Sequence, residues 1–164
     1  MLDAFATSGT SPTYRYRVRE LRYSVVREGD APPRDLSSPI AALALVHDLG
    51  ERLLPDDGKE HFAILMLDTK NRLIAFHGVS TGTLSATLVH PRDVFGPALR
   101  TLGVAAIVLV HNHPSGDPTP SLEDARLTQQ LMDGSRVLDV KIHDHLIIGD
   151  GSRRSVSFGE RGLL

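Results

Sequence analysis

The stretch "HNHPSGDPTPSLED" at residues 111–124 holds two of the chain's eight histidines, one residue apart, where an apolar run meets a turn. In an extended strand, side chains two residues apart project from the same face, so His111 and His113 can point at one spot while Asn112 points away. Two imidazoles so placed can share one metal, and a zinc that does hydrolytic work commonly takes three protein ligands and keeps a fourth position for water. Asp124 is the third ligand the spacing offers. A second reading stands beside this one. Ser121 with Asp124 is also a Ser-x-x-acid helix start, in which both side chains satisfy backbone N–H groups.

Elements on either side must bring these residues together. "VAAIVLV" at 104–110 is wholly apolar and reads as a central strand covered on both faces, delivering His111 at its end. The loop from Pro114 to Pro120 is rich in Pro and Gly and suits a turn of fixed shape. Ser121 then caps a helix, "LEDARLTQQLMDG", that Gly134 is expected to terminate. Upstream, "PIAALALVHDLGERLL" from Pro39 carries Ile40, Leu43, Leu45, Val46, Leu49 and Leu53 at helical intervals, and "PDDG" at 55–58 stops it. "HFAILMLD" and "LIAFHGVS", joined by "TKNR", predict a hairpin of buried strands. "TGTLSATLV" reads as a further strand. Pro91 opens a helix, "PRDVFGPALRTLG", with Gly103 after its end and with Gly96 and Pro97 inside it, where a proline costs about 3 kcal/mol. "VLDVKIHDHLIIGD" and "SVSFG" supply closing strands. The order is mixed α and β, without repeats.

The motif H-x-H-P, seven residues from His113 to Ser121 and then Asp124, resembles the JAMM motif of the MPN+/JAB zinc metallopeptidases. "HNHPSGDPTPS", "LDTKNRLIA", "GTL", "HPRDVF" and "DHLIIG" resemble the RadC-like branch of that family, over about residues 59–162. The resemblance implies an α/β (α+β) fold of MPN/JAB, cytidine-deaminase-like architecture: a mixed, curved central sheet flanked by helices. It implies Zn2+ held by His111, His113 and Asp124, and Ser121 assisting at the water and the developing oxyanion. The family's remaining catalytic residue is a glutamate at the start of the first core strand, and "KEHFAILMLD" places Glu60 there as general base. Together these imply hydrolysis of a peptide or isopeptide bond by water activated at zinc. The substrate implied is a peptide or protein, a ubiquitin-like tail among them.

Composition bounds the rest. A chain of 164 residues, 41% hydrophobic, is the size of one ordinary domain. Its expected divisions are a disordered tail over 1–13, a strand and helix over 14–58 leading into the domain, and the JAB/MPN+ core over 59–164. With no cysteine, any metal falls to histidine and carboxylate, and a cytidine-deaminase-type zinc site is excluded. "MLDAFATSGTSPTY" lacks a basic start and an apolar core, and no window approaches the roughly 20 apolar residues of a membrane span, so a cytoplasmic protein without membrane partners is expected. A formal charge of −2 gives no global pull toward nucleic acid. Residues 14–34 carry Arg15, Arg17, Arg19, Arg22, Arg27 and Arg34, either the solvated face of an edge strand or a nucleic-acid contact. RadC-like proteins often carry an N-terminal helix-hairpin-helix, and no such pair of short helices is evident here. Two alternatives to the peptidase therefore stand: a DNA-associated accessory protein of repair or mobile-element maintenance, and a non-catalytic MPN scaffold. A metal-bound histidine usually donates its other ring N–H to an acceptor. Asp144 is read as a candidate for that acceptor, and His47, His61, His77, His90, His143 and His145 as structural or surface residues.

Overall fold

A computed structural model describes residues 35–82, 89–149 and 154–164. The Arg-rich segment, the tail before it and most of the expected "TGTLSATLV" strand lie outside the described residues. The elements in chain order are α1 (Pro39–Leu49), β1 (Glu60–Leu67), β2 (Leu73–Gly82), α2 (Pro91–Arg100), β3 (Ala106–Asn112), α3 (Leu122–Leu138), β4 (Lys141–Ile148) and β5 (Ser155–Ser157). The five strands form one mixed sheet in the order β2-β1-β3-β4-β5, parallel between β3 and β4 and antiparallel elsewhere. This is the α/β fold expected, with helices on both faces. No helix among the described residues is long and apolar enough to cross a membrane.

Strand alternation sorts the central side chains into two apolar layers. Ala63, Leu65, Val108, Val110, Leu146 and Ile148 pack with Ala42, Leu45 and Val46 of α1. Phe62, Ile64, Ile107 and Leu109 pack on the other face with Phe95 of α2 and with Leu127 and Leu131 of α3. Both faces of β1 and β3 are therefore buried, which is why these strands read as unbroken apolar runs rather than alternating ones. His111 continues the series that places Ile107 and Leu109 on the α2/α3 face.

Four expectations need correction. Gly134 does not end α3, which runs on to Leu138 and finishes at Asp139 in the left-handed conformation. The glycine instead makes room for a neighbour, since a Cβ there would stand 3.1 Å from the Phe95 ring. "VLDV" at 137–140 is accordingly the end of that helix and its exit, and β4 begins at Lys141. The first helix stops at Leu49, six residues before Pro55, because Gly50 takes a positive φ of 48°; one 3-10 turn over Gly50–Arg52 carries the chain on. Ile40, assigned to its apolar stripe, is 75% exposed. Pro97 does sit inside α2, a helix of only ten residues held by the burial of Val94, Phe95 and Ala98.

Candidate metal centre

Three elements meet where β3 ends. Phe62 of β1 lies opposite His111 of β3 in the register, and their rings stack at 5.8 Å. His113 follows the strand directly, its N–H donating to the Ile148 carbonyl at the end of β4. The loop then returns the chain to α3. Its shape depends on Gly149, where a Cβ would stand 2.5 Å from the Gly116 carbonyl oxygen. Ser121 caps α3 and its hydroxyl accepts from the Asp124 N–H, while the Asp124 carboxylate accepts from the Ser121 N–H. The cap foreseen from the sequence is thus present, and it fixes the direction of the Asp124 carboxylate. The other carboxylate oxygen, Oδ1, reaches His111.

His111 Nε2 lies 3.0 Å from His113 Nε2 and 3.2 Å from Asp124 Oδ1, and His113 Nε2 lies 3.5 Å from Asp124 Oδ2. The three side chains form a group that could hold a metal ion. A tetrahedral zinc with bonds of about 2.0–2.1 Å separates its ligand atoms by about 3.3–3.4 Å, so the spacings fit. The donor chemistry fits as well. His113 Nδ1 lies 2.7 Å from the Asp117 carbonyl oxygen, which can only accept, so that nitrogen carries the proton and Nε2 presents a lone pair.

The site's electrostatics follow from its burial. His111 is wholly buried and Asp124 is 4% exposed. Burial pushes the Asp124 carboxyl up, but the neighbouring His111, His113 and Ser121 side chains outweigh it and hold the group ionised, well below the usual carboxylate range. Burial pushes His111 down, partly offset by Asp124. The more open His113 is raised, first by the same carboxylate beside it. The centre therefore keeps a charged carboxylate between two imidazoles, with solvent reaching it from the His113 and Ser121 side.

Glu60 begins β1 two residues before Phe62, which puts it on the face and at the end of the sheet where His111 lies. Its charge is felt at both His111 and His113, raising each. Asn112, expected to point away, does so with a purpose that spacing did not reveal. Its carbonyl oxygen accepts from the His61 N–H at 2.7 Å, and its amide donates to the Lys59 carbonyl at 3.0 Å. The middle residue of "HNH" thus grips the backbone on both sides of Glu60.

Asp144, read as the acceptor for a histidine's outer nitrogen, is not the partner of His111 Nδ1 or of His113 Nδ1. Its carboxylate accepts from the Ser157 hydroxyl and from the N–H groups of His145 and Gly159, tying β4 to the chain after β5. The group facing His111 Nδ1, at 2.8 Å, is His145. That histidine is wholly buried, which holds its pKa well below the ordinary value. Alternation along "HDHLII" was the one hint, and it could not show that β4 pairs with β3. His61, also buried, bonds Asp57 and Thr81.

A mixed sheet between helices, with a His-x-His…Asp cluster where the central strand ends, defines a JAB-type domain. The chain belongs to the RadC-like JAB domain family, whose model matches residues 36–163 and so takes in α1 as well as the sheet. Among its relatives, a UPF0758 protein of Syntrophotalea carbinolica is 47% identical over 128 residues, 78% of this chain and 53% of the relative. UPF0758 proteins of Geotalea uraniireducens and Methanosarcina mazei are 50% and 43% identical, covering 66% and 82% of this chain and 46% and 56% of their own. The chain spans about half the length of the curated relatives it matches.

Proposed function

We propose that this domain is a zinc-dependent hydrolase of peptide or isopeptide bonds. The observation that carries the reading is the convergence of His111 Nε2, His113 Nε2 and the Asp124 carboxylate within 3.0–3.5 Å, at the end of the sheet that also carries Glu60. Electron-rich atoms packed so closely call for a cation among them. The absence of cysteine and the mixed nitrogen and oxygen donors suit zinc. Bound there, zinc supplies Lewis acidity, polarising a carbonyl and lowering the pKa of water to about 7.

The chain's own groups account for the remaining chemistry. Glu60, held by the bonds of Asn112 to the backbone of Lys59 and His61, takes the proton of the attacking water and delivers it to the leaving amine. The Ser121 hydroxyl donates to Asp124 at 2.7 Å in this structure. It turns to the substrate carbonyl oxygen as charge develops there. A cavity of about 620 Å³ borders His113 and is floored by Val46, Leu54 and Ile148. It is large enough for the side chains next to the bond being cut. On this reading the substrate is a peptide or protein.

Glu60→Gln tests the assignment. The variant should bind zinc as the wild type does and lose roughly 10²–10⁴-fold in hydrolysis of a peptide or isopeptide substrate. A variant as active as wild type would remove Glu60 from the mechanism.

A further inference from the structure

The Thr128 hydroxyl has one proton to give. It lies 2.6 Å from the Asp124 carbonyl oxygen, which can only accept, so the proton goes there. The Thr128 oxygen is also 2.6 Å from His145 Nδ1, and with its own proton committed it must accept from that ring. His145 therefore carries its proton on Nδ1. The ring is wholly buried, stacks on Phe158 at 4.7 Å and meets Phe62 edge-on, with no carboxylate among its hydrogen-bond partners. In such surroundings it is neutral, and its Nε2 is a bare lone pair. That lone pair faces His111 Nδ1 at 2.8 Å, so His111 also carries a proton on Nδ1 and turns Nε2 toward His113 and Asp124.

We infer that His145, anchored by Thr128, is a positioning residue that fixes the tautomer and ring angle of His111, so that its Nε2 lone pair faces the cation site before a cation arrives. The connection closes on itself. Thr128 stands one helical turn after Asp124 in α3, and the path from the Asp124 carbonyl through Thr128, His145 and His111 returns to the Asp124 carboxylate. One helix thus supplies a ligand and the anchor that orients another ligand on β3, with β4 between them. The purpose of this arrangement rests on the metal reading proposed above; the tautomers themselves are a property of the metal-free chain.

The two can be tested apart. In metal-free protein labelled with 15N-histidine, long-range 1H–15N correlation should show His145 protonated at Nδ1 and bare at Nε2, with a proton on His111 Nδ1. A proton on His145 Nε2 would overturn the inference whatever the protein does with metal. For the purpose, zinc affinity is measured by competition with a chromogenic chelator. His145→Phe keeps an aromatic ring between Phe62 and Phe158 but removes the acceptor, and should weaken zinc roughly 10–100-fold. His145→Gln restores an acceptor toward His111 Nδ1 and should recover most of that loss. Folded His145→Phe that binds zinc like wild type would contradict the inference. If that variant does not fold, Thr128→Val decides: it should mix the two His145 tautomers in the spectrum, and an unchanged single tautomer would contradict the role of Thr128. Wild type that shows the expected tautomers but binds no zinc would overturn the metal reading and leave the tautomer lock standing.

Discussion

Ser121 has a capping role and a proposed catalytic one, which one substitution would confuse and two can separate. As N-cap it accepts from the Asp124 N–H, and losing a serine cap typically costs about 1 kcal/mol. As proposed donor to the substrate oxygen it also affects rate. Ser121→Ala should therefore lower both stability and hydrolysis, whereas Ser121→Asn, an equally good cap, should recover denaturant stability and not hydrolysis. Recovery of both would reduce Ser121 to a cap. The residues in this cluster differ in how far the sequence revealed them. His111, His113, Ser121 and Asp124 lie within fourteen residues, so local spacing sufficed to propose the two histidines and the aspartate as a group, with Ser121 as the cap that the resemblance added to it. Glu60 is 51 residues from His111 and was proposed through the family resemblance alone, while His145, 34 residues from it, comes in only through strand pairing. Asn112 points away as alternation predicted, and its partners stayed hidden for a different reason. Alternation gives the direction of a side chain, but not what backbone it meets.

The elements hold the site through their turns as much as through their cores. Between β1 and β2, the Asp68 carboxylate accepts from the N–H groups of Lys70 and Arg72 and from the Arg72 side chain. The Arg72 bonds, chief among these, lower its pKa from 3.8 to about 2. A carboxyl with a depressed folded-state pKa stabilises above its unfolded value and loses that contribution as pH falls through the folded one. The stability gap between wild type and Asp68→Asn should thus be largest above pH 4 and close as pH falls to about 2, read by denaturant titration at each pH. A gap that does not change with pH would show that the ionised carboxylate is not what holds the turn. Hairpin, central strand and capped helix were all legible, because each has a local signature: an apolar run, a turn sequence or a Ser-x-x-Asp start. Helix ends were less so. Gly134 looked like a stop signal but is a packing glycine beneath Phe95, and that reason lies on another helix.

At the scale of the whole domain, α1 on one face and α2 with α3 on the other keep β3 dry along its length and let its end alone reach solvent. Apolar runs announced that layering, but the strand order and the single parallel pair were not readable from any one segment, since they depend on where α3 returns the chain. Burial on both faces is also what gives the site its electrostatic character, an ionised Asp124 held between imidazoles that burial and that carboxylate pull in opposite directions. A site so arranged should be a metal site, and the most direct measurement is metal content. Elemental analysis of protein purified without chelator should find about one zinc per chain in wild type, and none in a folded His113→Ala variant. No metal in wild type, even after zinc is added back, would contradict the account and leave residues 111–124 as a capped turn on a scaffold.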